Sequence, residues 1–143
     1  MKFLYVLLLM GSCNHTSNTT ASPTVAEEGF PVGIYFGSMC CGPSAADFLS
    51  PFIKKYNKAH KQQIAGFKVA GCGREGEYMI LLNLPAMEKT EKDSWMDELT
   101  ALVNNQGKLN KAAKADSGGI EVRENVKPAD YEYCRIKIAA YKF

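Results

Sequence analysis

The feature that most constrains the fold of this chain is the order in which its hydrophobic period switches between strand and helix. Val32 to Ser38 (VGIYFGS) is short, β-branched and aromatic, the pattern of a strand. Met39-Cys40-Cys41-Gly42-Pro43 breaks it. Ser44, with Asp47 three residues on, reads as a helix start. Phe48, Leu49, Phe52, Ile53 and Tyr56 then recur at helical spacing. Pro51 suits a first helical position better than a helix interior. The main helix is therefore expected to begin at Ser50 and Pro51, after a short turn over 44–49, and to end near His60. Ile64 to Ala70 and Tyr78 to Leu84 are a second and a third strand, joined by the glycine-rich segment 71–77. Thr90 and Asp93 introduce a second helix, with Trp95, Met96, Leu99, Leu102 and Val103 on one face and Gly107 as its stop. Residues 108–117 are polar and carry no clear period. Gly119 to Glu124 alternates weakly. Cys134 to Ala140 alternates more clearly, with Cys134, Ile136, Ile138 and Ala140 on one face and Arg135 and Lys137 on the other.

The order β-α-β-β-α-β, with one extra short strand, predicts an α+β domain of the ferredoxin-like, split β-α-β kind. Two helices would cover one face of an antiparallel sheet of order 4-1-3-2. A thioredoxin-like or other small α+β fold is the alternative. The 143 residues suit one such domain, and 46% apolar against 22% charged residues leaves material for a core. The formal charge of +2 falls to +1 if Lys2 is removed, so electrostatics gives no argument for a nucleic-acid partner.

Residues 1–12 have the form of an export signal. Met1-Lys2 is a positive start, and Phe3 to Met10 is an unbroken apolar run. As a helix that run spans roughly 12 Å, well short of the ~30 Å hydrocarbon core of a bilayer. Met10-Gly11-Ser12-Cys13 resembles the lipobox of bacterial lipoproteins, with Met and Ser in place of the commoner residues at the third position before Cys13 and just before it. The resemblance implies that Cys13 is thioether-linked to diacylglycerol and becomes the mature N-terminus. It also implies that Asn14 directs sorting to the outer membrane. An ordinary signal peptide cut nearby is the alternative. Residues 14–28 are polar, small and aperiodic, the composition of a flexible tether reaching roughly 20 Å. The chain is thus expected to comprise a signal at 1–12, a lipidated Cys13 with its tether over 13–29, and one domain at 30–143. Its expected place is the cell envelope, lipid-anchored at the outer membrane, with the membrane as partner through the anchor alone.

The domain holds Cys40, Cys41, Cys72 and Cys134. In an exported domain four cysteines are first read as two disulfides. In the expected topology Cys40 and Cys41 follow strand 1, Cys72 follows the parallel strand 2, and Cys134 opens the last strand. If that strand lies beside strand 1, all four gather at one end of the sheet. If Gly119 to Glu124 takes that place instead, Cys134 moves away. Adjacent cysteines seldom bond each other, because the eight-membered ring strains the peptide. The expected pairing is therefore Cys40 or Cys41 with Cys134 and the other with Cys72, the Cα atoms within about 7 Å.

Gly37-Ser38-Met39-Cys40-Cys41, between a strand and a helix, resembles the G-M-x-C-x-x-C loop of heavy-metal-associated domains. Its second cysteine is adjacent rather than three residues on, so that family's two-coordinate site does not carry over. The same four thiolates would still favour Cu(I) or Zn(II) as an alternative to disulfides.

Other groups have plainer readings. Gly71-Cys72-Gly73-Arg74-Glu75-Gly76 has the G-x-G-x-x-G spacing, but a strand follows where a dinucleotide site needs a helix, so it is read as a turn with positive-φ glycines. Arg74, Glu75 and Glu77 are read as solvated residues of that turn. His60 is read as a solvated helix-end histidine. Tyr131, Tyr133 and Tyr141 are candidates for one sheet face. Three functions stay open: a lipid-tethered envelope module that binds a protein or small ligand and is stapled by disulfides; a thiol-based metal binder; and a thiol oxidoreductase or other small enzyme, for which no positioned base is visible.

Overall fold

The computed structural model describes residues 28–113 and 118–143. Within them the chain runs β1 (Phe30–Phe36), α1 (Leu49–Ala59), β2 (Ala65–Ala70), β3 (Tyr78–Asn83), α2 (Lys89–Ala112), β4 (Ile120–Val126), a 3₁₀ turn (Pro128–Asp130) and β5 (Ile136–Tyr141). The five strands form one antiparallel sheet of order β4-β1-β3-β2-β5. The first four strands realise the order 4-1-3-2 of the split β-α-β arrangement. The Gly119–Glu124 segment takes the fourth place, beside β1, and the last strand is added on the opposite edge, beside β2. No described helix is long and apolar enough to cross a membrane. The proposed signal, Cys13 and residues 14–27 of the tether lie outside the described residues.

Both helices lie on one face. Val32, Ile34 and Phe36 of β1 and Ile80 and Leu82 of β3 pack with Leu49 and Ile53 of α1 and with Trp95, Met96, Leu99 and Val103 of α2. The expected partners Phe48, Phe52 and Leu102 join this core at its margin. β3 is the central strand and is buried on both sides, which is why Tyr78 to Leu82 is apolar without alternation. Its other side, Met79 and Leu81, meets Phe30, Val69, Cys72, Val126 and Tyr131 in a second core.

That second core is closed by the segment between β4 and β5, which contributes Tyr131. Asn125 has φ 53°, a left-handed conformation that asparagine tolerates. It reverses the alternation of β4: Ile120 and Val122 face the helices, whereas Val126 faces the second core. β4 ends opposite Phe30, at the start of β1, while β5 starts opposite Ala70, at the end of β2. Residues 127–135 therefore cross the second face diagonally, from one edge of the sheet to the other. Tyr131 anchors this strap edge-on to Phe30, ring centroids 6.3 Å apart.

Both helices differ from the sequence expectation at an end. α1 begins at Leu49 with Pro51 in its first turn, and Phe48 at the N-cap makes no side-chain cap, so neither Ser44 nor Ser50 acts as one. α2 passes through Gly107 and ends at Ala112. A glycine stops a helix when it adopts positive φ just past the last turn. Gly107 does not, and the helix continues past it to Asn110, which is buried and accepts a hydrogen bond from Gln106 at 2.8 Å. Residues 114–117 lie outside the described residues.

Candidate functional site

The cysteines define the end of the sheet to which β1 and β2 both run. β2 and β5 pair with Ala70 opposite Ile136. Continuing that register by two residues puts Cys72 opposite Cys134, and these two form a disulfide with Cα atoms 4.1 Å apart. Cys72 is 8% exposed and packs in the second core, with Cys134 at its margin.

The expected bonds from Cys40 or Cys41 to Cys72 or Cys134 are therefore corrected. The reason is lateral position: β3 separates β1 from β2, so the continuations of these strands lie about 10 Å apart, and that of β5 is a further strand away. Cys134 does leave the neighbourhood of β1, as the alternative placement of Gly119–Glu124 required. It stays at the same end of the sheet because β5 is antiparallel to β2. Cys40 and Cys41 remain exposed thiols. Their Sγ atoms lie 3.1 Å apart, one thiol donating to the other. Their turn borders the 71–77 connection, for a Cβ on Gly42 would stand 3.8 Å from the Glu75 carbonyl oxygen.

The pairing also redefines the metal alternative. With Cys72 and Cys134 bonded, two of the four thiolates proposed for Cu or Zn are absent. Among the described residues no group of three or more His, Cys, Asp or Glu side chains could hold a metal ion.

Beside the disulfide lies an open cleft of about 420 Å³ lined by Gly71, Cys72, Gly73, Arg74, Tyr133 and Arg135. Gly71 and Gly76 have φ of 69° and 87°, as a turn reading of the glycine-rich string requires. No helix follows the string. Arg135 donates from Nη2 to the Gly73 carbonyl at 3.0 Å, and its N–H donates to the Gly71 carbonyl at 3.2 Å. Among the described residues neither Arg74 nor Arg135 pairs with a carboxylate. Glu77 is not a solvated turn residue: it is buried, and its carboxylate accepts the Glu75 N–H at 2.9 Å, closing the turn from inside. The cleft thus presents two guanidinium groups and an exposed tyrosine beside a covalently fixed floor.

The three tyrosines do not share one face. Tyr131 is buried in the second core, Tyr133 is 56% exposed at the cleft, and Tyr141 packs at the margin of the helix-side core. At this end Tyr78 is the structural tyrosine. Its hydroxyl donates to the Ser44 carbonyl at 2.6 Å, its ring stacks on Phe36 with centroids 4.5 Å apart, and Lys68 Nζ sits 4.1 Å over it. Burial pushes its phenol well above the ordinary value.

His60 has a structural task that the sequence did not disclose. Its Nε2 lies 3.2 Å from Glu91 Oε1, and the Tyr56 hydroxyl donates to the same oxygen at 3.3 Å. Its Nδ1 lies 2.9 Å from the Tyr56 carbonyl, which can only accept, so Nδ1 carries the proton. The imidazole also stacks on Tyr56, centroids 3.9 Å apart. The trio clamps the end of α1 to the start of α2 and lines a groove of about 280 Å³ with Phe52 and Trp95. Both contacts fall on Glu91 Oε1.

The chain matches no protein-family model, no characterised protein and no solved structure, so its function rests on its own residues.

Proposed function

We propose that this protein is a lipid-anchored binding module of the bacterial cell envelope. The observation that carries the reading is the Cys72–Cys134 disulfide, which ties β2 to the start of β5. Such bonds persist in oxidising compartments, the periplasm and cell surface among them. That agrees with an export signal over 1–12 and a lipobox ending at Cys13. In this reading the diacylglyceryl group on Cys13 holds the module at the outer membrane and residues 14–29 set its distance from it. The ligand, a small molecule or an envelope protein, meets the cysteine end of the sheet. There Arg74 and Arg135 offer donors suited to carboxylate or phosphate oxygens.

The test is fractionation of cells producing the full chain and its Cys13→Ser variant, with a radiolabelled fatty acid as tracer. The expected result is labelled protein in the membrane fraction, and unlabelled, folded protein released by Cys13→Ser. A membrane fraction unchanged by the substitution overturns the reading.

A further inference from the structure

The disulfide staple leaves the other two cysteines for a different role. Neighbouring residues on an extended chain point to opposite sides, so adjacency in sequence does not by itself bring two thiols together. Here a turn does so. Cys41 has φ 67° and Gly42 φ 93°, two successive left-handed residues, and Ser38 Oγ donates to the Cys40 carbonyl at 3.2 Å. The outcome is two exposed thiols with sulfurs 3.1 Å apart. A soft ion held in line between two thiolates needs sulfurs about 4.6 Å apart, at roughly 2.3 Å per bond. A disulfide needs about 2.05 Å. The observed separation lies nearer the second.

We propose that Cys40 and Cys41 form a thiol–disulfide exchange site for low-molecular-weight disulfides. One thiolate attacks a sulfur of the substrate R–S–S–R. A bond forms between the protein and one R–S group, the substrate S–S bond breaks, and the departing thiolate takes up the proton that the attacking cysteine gave up. The second cysteine, deprotonated in turn, attacks its neighbour's sulfur. The Cys40–Cys41 bond forms and the second R–SH leaves. The pair loses two electrons, the substrate disulfide gains them, and two protons accompany the two product thiols. Both cysteines are exposed, so a substrate sulfur reaches either one without the core opening.

The chemistry also sets the direction in which the site works. A disulfide between adjacent residues closes an eight-membered ring and strains the peptide within it. Strained, exposed disulfides are more oxidising and more labile than buried structural ones. Once closed, the Cys40–Cys41 bond passes readily to a reducing thiol, while Cys72–Cys134, packed in the second core, stays shut. The two pairs share one end of the sheet and differ in task.

The experiment treats the full chain, with Cys40 and Cys41 reduced, with oxidised glutathione, then alkylates it and maps the peptides by mass spectrometry. In the wild type both thiols are expected to disappear, with a Cys40–Cys41 linkage and no retained glutathione. Cys40→Ser and Cys41→Ser are each expected to keep one glutathione on the remaining cysteine, trapping the first step. In graded glutathione buffers Cys40–Cys41 is expected to open at a more oxidising potential than Cys72–Cys134. Glutathione that persists on the wild type without ring closure, thiols that stay alkylatable throughout, or a new bond from Cys40 or Cys41 to Cys72 or Cys134 would each overturn the proposal. None of these readouts depends on Cys13, so failure here and failure of the anchored-module reading are separate results.

Discussion

Removing the Cys72–Cys134 bond by the double substitution Cys72→Ala/Cys134→Ala should be the most damaging change near the cysteine end. The bond spans 62 residues of sequence. Loop-closure entropy for a span of that length is roughly 14 cal/mol/K, or about 4 kcal/mol at 25 °C. The cysteine side chains add little packing of their own, since Cys134 sits at the margin of its core. The bond also closes the strap over 127–135 at its far end, so its loss should loosen β5 before the helix-side core. Urea unfolding can be followed by fluorescence of Trp95, the only tryptophan, buried in the helix-side core. The variant is expected to lose about 3–4 kcal/mol and roughly 15 °C in Tm. Cys40→Ser/Cys41→Ser, altering exposed thiols, should stay within about 0.5 kcal/mol of wild type. A loss below about 1 kcal/mol in the Cys72/Cys134 variant would refute the view that this bond staples the fold.

Gly107 lies inside α2, and a Cβ there would meet no atom within 4 Å; Gly107→Ala should stabilise by about 0.5–1 kcal/mol in the same urea assay. Gly29 has φ 91°, and a Cβ would collide with the Val126 carbonyl oxygen; Gly29→Ala should cost about 2 kcal/mol or more, read as a shift in the urea midpoint. The Tyr78 phenol is raised by burial above its ordinary 10.0. Its protonated form therefore contributes stability that is complete below that value and lost as pH rises past it toward the folded-state value. Tyr78→Phe should flatten this alkaline decline, at a cost of about 1 kcal/mol near neutral pH from the lost bond to Ser44.

The local elements could be read from the residues alone, because periodicity reports which side of a segment must be buried. Phe48, Leu49, Phe52 and Ile53 at helical spacing and the apolar run of β3 needed no distant partner to be read. The glycine-rich string likewise disclosed its own turn through the strand that follows it. Cys40, Cys41 and Cys72 were legible as a group at one end of the sheet, since β1 and β2 both run that way; Cys134 was not, because it reaches that end on β5, at the opposite edge from the place beside β1.

Their pairing was not legible. An alternating strand such as β5 records which face is apolar but not which neighbour it lies beside, and an edge strand fits either edge equally well. The strap decided the edge. Asn125 turns β4 toward the second face, Tyr131 docks on Phe30, and the chain is carried across to β2, where the register sets Cys134 opposite Cys72. Those contacts join residues far apart in sequence, 62 positions for Cys72 and Cys134, and leave no local period. The same holds for His60, whose partner Glu91 stands on another helix. Burial on one face is a property of a segment and can be read from it; the choice of lateral partner is a property of the assembled sheet, and only the tertiary structure makes it.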